Sequence, residues 1–129
     1  MQIPRISPEE TQALLAATEG AVYLDVRTAE EFAQGHVPGA INVPVALKSA
    51  TGMQPNPDFL PEVNVRIGKD TPLVTGCLRG GRSMRAAGAL IGDGFTAVQD
   101  MRGGWDGELS ASGELAYPGW SRRGLPVER

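Results

Sequence analysis

One cysteine and one histidine in 129 residues leave this chain without two common means of holding a small fold together. A lone thiol cannot close an internal disulfide, and Cys77 with His36 cannot supply the ligands of a structural zinc site. No apolar run approaches the length of a membrane-spanning helix, so a membrane partner is not expected. The opening Met1-Gln2-Ile3-Pro4-Arg5 lacks the apolar stretch of a signal peptide. The expectation is a soluble cytoplasmic protein, or a mature form whose targeting segment is not in this sequence. A basic excess is also missing. Twelve Lys+Arg stand against 15 Asp+Glu, a net charge of −3, which argues against a nucleic-acid partner. Charges of both signs are mixed along the chain, as on a solvated face. There is no internal repeat and no low-complexity tract. A chain of this length needs one hydrophobic core, and 1–129 reads as one domain. The residues call for no metal and no cofactor.

What is present alternates between helix and strand signals, the pattern of a layered α/β domain. Ser7-Pro8-Glu9-Glu10 is a capping box with Pro at the first helical position, opening a helix to about Thr18. Residues 21–26 are a short apolar run with β-branched members and read as a buried parallel strand. Thr28-Ala29-Glu30-Glu31 repeats the capping box and opens a short helix that stops at Gly35. Residues 36–43 read as a turn and a second strand, 48–57 as a loop, and 57–60 as a turn. Pro61 places the next helix at 61–67. Strands are predicted at 72–76 and 96–100, a helix at 82–91, and an edge strand at 3–6. From Gly103 on, the chain reads as a helix or turn, a surface loop and a closing segment.

The chemistry concentrates in Val74-Thr75-Gly76-Cys77-Leu78-Arg79-Gly80-Gly81-Arg82-Ser83. A buried strand ends, a cysteine follows at once, then a glycine-containing loop, then a helix. Open α/β sheets bind ligands beyond the carboxyl ends of their strands, which is where Cys77 falls. An ordinary thiol is only a few per cent ionised at neutral pH, and the thiolate is the nucleophile. Gly80 and Gly81 let the backbone curl so that N–H groups point inward as an anion nest. The helix near Arg82 adds its positive end, and Arg79 and Arg82 add two fixed charges. Such a cradle favours a thiolate and would also bind a doubly charged oxyanion. Arginines this close argue that Cys77 is not sealed in the core. Four residues separate Cys77 from Arg82. Cysteine phosphatases use a loop one residue longer, wide enough for a phosphate. The tighter ring here suits a sulfur bound to a sulfur.

These segments resemble the rhodanese superfamily. Leu24-Asp25-Val26-Arg27-Thr28-Ala29-Glu30-Glu31-Phe32 and Gly35-His36-Val37-Pro38-Gly39-Ala40-Ile41-Asn42-Val43-Pro44 look like its N-terminal signature. Cys77 to Ser83 looks like its active-site loop. Phe95 to Asp100 followed by Gly103-Gly104-Trp105 looks like its C-terminal signature. Ser49 to Leu60 resembles the single-domain, plant-type and bacterial sulfurtransferases. The resemblance runs from about Ile6 to Pro126. It implies a doubly wound parallel sheet with helices on both faces, and a two-step reaction. Cys77 would take a sulfane sulfur from thiosulfate or a related persulfide donor. Its persulfide would then pass that sulfur to cyanide, a small thiol or a protein acceptor. With one cysteine, the acceptor must be external.

The implied site is Cys77 as nucleophile, with Leu78, Arg79, Gly80, Gly81, Arg82 and Ser83 around the substrate. Asp25 and Arg27 support it as an ion pair or touch substrate, and His36 falls in a structural turn. Trp105 and Trp120 read as packing residues. Residues 106–119 depart from the pattern as a surface insertion, either idle or covering the mouth of the site. Two other functions stay in view: a sulfur carrier or binding module for a protein partner, and a small cysteine phosphatase or arsenate reductase.

Overall fold

The computed structural model of the protein describes residues 2–129. In chain order the elements are β1 (Arg5–Ile6), α1 (Pro8–Ala17), β2 (Val22–Asp25), α2 (Ala29–Gln34), β3 (Ile41–Asn42), β4 (Ala46–Ser49) and β5 (Gly52–Pro55). Then come α3 (Phe59–Arg66), β6 (Leu73–Gly76), α4 (Gly81–Gly92), β7 (Val98–Met101), β8 (Gly107–Leu109) and β9 (Leu115–Pro118). Both capping boxes form. The Ser7 hydroxyl accepts from the Glu10 N–H at 3.0 Å, and the Glu10 carboxylate accepts from the Ser7 N–H at 2.8 Å. Thr28 and Glu31 repeat this at 3.2 and 3.0 Å. Each N-cap stabilises its helix by about 1 kcal/mol.

The main sheet runs β1-β7-β6-β2-β3, with every pairing parallel. Alternate residues of its strands face opposite sides. Leu24, Leu73 and Val98 pack with Phe59 and Val63 of α3 and Ala86, Ala87 and Leu90 of α4. Tyr23, Val74 and Met101 pack on the other face with Trp120, Leu14 and Leu15. Helices therefore cover both faces, as a parallel sheet requires. The order in which strands join the sheet reverses between β2 and β6, so the carboxyl ends of these two central strands open onto one crevice.

Three segments differ from the sequence reading. Residues 48–57 are not a loop. They contribute to an antiparallel hairpin, β4 with β5, in which Lys48 pairs with Met53 and Ser49 with Gly52. The Ser49 hydroxyl donates to the Gly52 carbonyl at 2.7 Å and closes the turn. Most of both strands faces solvent, so no alternation of apolar residues betrays them. Pro61 does not delay its helix. It is the third residue of α3, where its missing N–H is one that the first turn leaves unpaired anyway. Within 106–119 the chain forms a second antiparallel hairpin, β8 with β9. A single 3-10 turn follows over Trp120–Arg122. No helix among the described residues is long and apolar enough to cross a membrane.

Candidate active site

Strand β6 carries the chain to its carboxyl end at Gly76, and Cys77 is the first residue beyond it. The next turn depends on Gly80, which caps α4 with φ of +115°. Only glycine takes that conformation readily. The turn brings the Gly80 N–H back to the Cys77 sulfur at 3.0 Å. The thiol donates to the Ser83 hydroxyl at 3.4 Å, and that hydroxyl donates to the Gly80 carbonyl at 3.2 Å. The sulfur thus sits in a ring of short polar contacts over the first turn of α4. The N–H groups of Gly81, Arg82 and Ser83 belong to that turn and have no acceptor inside the helix. A negative charge at the sulfur, or on an atom bonded to it, meets this polarised end. Gly81 opens the helix without a positive φ, so the curl is carried by Gly80 alone.

Two expectations for this loop require correction. Cys77 is 2% exposed, not open to solvent. The arginines do not prevent burial because both point away to carboxylates nearer the surface. Arg82 makes a two-pronged ion pair with Glu31, at 2.8 and 3.0 Å. Arg79 pairs with Asp106 at 3.0 Å and donates to the Gly107 carbonyl at 3.1 Å. Neither guanidinium is a free charge at the sulfur. Burial would raise the Glu31 carboxyl, but the hydrogen bonds from Arg82 and the Thr28 N–H outweigh it and hold the group at about 2. The same bonds hold Arg82 firmly in its charged form.

The floor under the loop comes from the C-terminal signature. The Trp105 N–H donates to the Cys77 carbonyl at 2.7 Å, and the Asp106 N–H to the Leu78 carbonyl at 2.9 Å. Gly104 makes this approach possible. Its φ is +60°, and a β-carbon there would lie 2.4 Å from the Cys77 carbonyl oxygen. On the far side lies Arg5 of β1, whose Nη2 would lie 3.0 Å from a β-carbon on Gly80. Arg5 donates to Asp100 at 3.1 Å and reaches Glu108 of β8 at 3.6 Å. Asp100 is fully buried, and burial pushes its carboxyl up despite the Thr75 and Arg5 contacts. The Thr75 hydroxyl donates to Asp100 at 2.9 Å and lies 3.3 Å from the Ser83 carbonyl.

Asp25 and Arg27 face each other below the crevice, both nearly inaccessible. The guanidinium donates to the carboxylate at 2.7 Å and to the Gly35 carbonyl at 2.7 Å, and it lies over the Trp105 ring. The pair thereby ties the end of β2 to the Gly35 turn. His36 is likewise held in its turn, by the Phe32 carbonyl at 2.7 Å and by Glu128 at 3.2 Å. Trp120 is buried, with its indole N–H donating to the Pro126 carbonyl.

The sequence reading assembled the loop but missed Arg5, Glu31 as a partner of Arg82, Thr75, Asp100, Gly104 and Asp106. Of these, Glu31, Asp100 and Gly104 lay inside the signature stretches, and Thr75 inside the stretch around Cys77. No local signal marks Arg5 or Asp106.

A chain with this doubly wound sheet, and with a cysteine loop closing onto a helix N-terminus, is matched by the family model for the rhodanese-like domain over residues 7–110. It belongs to the rhodanese-like domain family. It is similar to thiosulfate sulfurtransferase 16, chloroplastic, of Arabidopsis thaliana, with 45% identity over 109 residues covering 84% of this chain and 81% of that one. The thiosulfate sulfurtransferase GlpE of Pseudomonas entomophila is 34% identical over 123 residues, 95% of each chain. Among solved structures, Rv0390 from M. tuberculosis superposes with a TM-score of 0.82 at 28% identity, covering 99% of this chain and 98% of that one.

Proposed function

We propose that the protein is a sulfurtransferase whose Cys77 carries a sulfane sulfur as a persulfide. The observation that carries this reading is the ring around the sulfur: the Gly80 N–H at 3.0 Å and the Ser83 hydroxyl at 3.4 Å, over the unpaired first turn of α4. In the first step the Cys77 thiolate attacks the outer sulfur of thiosulfate or a related donor. A new S–S bond forms, the donor's S–S bond breaks, and the rest of the donor leaves with its electron pair, as sulfite from thiosulfate or as a thiolate from a persulfide. The backbone donors hold the negative charge that moves onto the outer sulfur of the persulfide. The second step reverses the roles. A cyanide or thiolate acceptor takes the outer sulfur, and Cys77 regains its thiolate. No electrons are gained or lost overall, so the chain needs no redox partner of its own.

Burial of Cys77 fits a donor that presents one terminal sulfur to a thiol enclosed by backbone. Arg79 and Arg82 serve this scheme by fixing the loop's shape, since each is bound to a carboxylate. The names of the similar plant and bacterial proteins support thiosulfate as a donor to test first. The test is intact-mass measurement of the wild type and Cys77→Ser after incubation with thiosulfate, then with acceptors. The wild type should gain one sulfur atom and lose it to cyanide or thiol, and the variant should gain none. Stable loading without release to small acceptors would make the protein a carrier for a protein partner. Absence of the adduct, together with Cys77-dependent hydrolysis of an aryl phosphate or reduction of arsenate, would overturn the reading.

A further inference from the structure

Beside the loop lies a groove of about 550 Å³ lined by Thr28, Glu30, Glu31, Lys48, Met53 and Arg82. One wall is the first turn of α2 and the other is the β4–β5 hairpin. Arg82, in the first turn of α4, joins this groove to the loop that encloses Cys77. Organic ligands occupy sites of roughly 300–1,000 Å³. A small inorganic dianion fills only a fraction of such a space, so the groove is sized for something larger. Its charges are also unequal in availability. Glu31 and Arg82 are occupied with each other. Glu30 on the helix wall and Lys48 on the hairpin wall make no ion pair among the described residues. Lys48 and Met53 are direct cross-strand partners, so ammonium and thioether stand side by side on one face. The groove therefore offers a free anion, a free cation and a soft apolar surface.

We propose that this groove seats the sulfur acceptor, and that the acceptor is a dipolar organic thiol whose ammonium meets Glu30 and whose carboxylate meets Lys48. The inference rests on the sulfur-transfer reading of Cys77. The acceptor's thiolate attacks the outer sulfur of the Cys77 persulfide. The acceptor S–S bond forms, the Cys77 S–S bond breaks, and its electron pair leaves on the Cys77 sulfur. The product is the acceptor's own persulfide. A thiol bearing only a carboxylate meets repulsion from Glu30, and one bearing only an ammonium meets repulsion from Lys48. Cyanide, which is too small to span the walls, gains nothing from either.

The experiment loads the full chain with thiosulfate, removes excess donor and follows sulfur release to cysteine, 3-mercaptopropionate, cysteamine and cyanide, each rate divided by the fraction of that acceptor present as its nucleophilic anion. In the wild type, cysteine should lead both singly charged thiols. Lys48→Gln should lower the rate for 3-mercaptopropionate relative to cysteamine about two- to five-fold, the range for one exposed charge contact. Glu30→Gln should shift the same ratio the other way. The doubly exchanged Glu30→Lys/Lys48→Glu chain should keep its preference for cysteine. Ratios that do not move in either single variant would overturn the proposal while leaving the sulfur-transfer reading intact. If thiosulfate fails to load Cys77, loading with inorganic polysulfide still allows the ratios to be read, and the donor assignment alone falls. Failure of both donors to load Cys77 overturns both.

Discussion

The two hairpins that flank the cysteine loop are built on opposite plans. The β8–β9 hairpin and the turn leading into it are bolted to the site. Asp106 holds Arg79 and Arg122, Glu108 reaches Arg5 and Arg102, and the Asp106 N–H clamps the Leu78 carbonyl. The β4–β5 hairpin is fastened mainly to itself. The side-chain bonds of Ser49, Thr51 and Gln54 stay within it, and its Lys48 and Met53 face the groove. The difference separates two tasks. Reacting atoms must be held within a fraction of an ångström, which needs a rigid support. Choice among acceptors needs only a surface of the right charge beside them. With the acceptor seated as proposed, the first task falls to the bolted hairpin and the second to the free-standing one.

The sharpest way to break this contrast is at the sulfur both regions serve. Cys77→Ser should abolish sulfur transfer, lowering turnover by about a thousandfold or more. Thiocyanate formation from thiosulfate and cyanide measures it. Gly104→Ala comes next. Its new methyl would lie 2.4 Å from the Cys77 carbonyl oxygen at a φ of +60°, so the loop must move. We expect a stability loss of about 2–4 kcal/mol in urea unfolding and about a hundredfold loss of transfer in the folded fraction. An unshifted rate in that variant would show that the floor does not position the sulfur.

Glu31→Gln tests the α2 side of the loop. It leaves Arg82 without its anionic partner while keeping a side chain that can bond. Because the folded carboxyl sits at about 2 rather than its ordinary 4.5, Glu31 binds fewer protons in the folded chain than in the unfolded one. Its contribution to stability is therefore complete above about pH 4.5 and is lost as pH falls towards 2. The wild type should outlast Glu31→Gln at neutral pH, and the gap should close across that window. Acid titration followed by tryptophan fluorescence reads it directly. A gap that stays constant to pH 2 would mean the ion pair is not what the substitution removed.

How much of this was legible beforehand follows from how far each interaction reaches along the chain. Ser7 with Glu10 and Thr28 with Glu31 are three residues apart, so their caps are written locally, and both form. The strand, cysteine and Gly80 turn are contiguous, so the loop was read almost whole. The carboxylate partners were not. Arg82 finds Glu31 at a separation of 51 residues and Arg79 finds Asp106 at 27. Two arginines beside a cysteine read as free charges until the fold supplies their acids. The burial of Cys77 follows from the same cause. The β4–β5 hairpin was missed for a different reason: a mostly exposed ribbon buries no face, so its sequence carries no period of two.

The smaller effects probe the hairpins themselves. Asp106→Asn should leave Arg79 tethered through the Gly107 carbonyl but without its ion pair. With Arg79 40% and Asp106 29% exposed, the stability cost should be about 0.2–1 kcal/mol. Transfer should still fall several-fold for every acceptor alike, because the loop is shared by all of them. Met53→Ala should do the reverse. Met53 is 45% exposed, so its truncation should change unfolding by no more than about 0.5 kcal/mol. It removes the apolar patch beside Lys48, so it should slow organic thiols while cyanide release stays near the wild-type rate. Comparing the two variants across the same acceptors decides the matter. A uniform loss in Asp106→Asn and a selective loss in Met53→Ala would assign rigidity to one hairpin and choice to the other. Matching profiles would mean that both hairpins act through the loop's geometry alone.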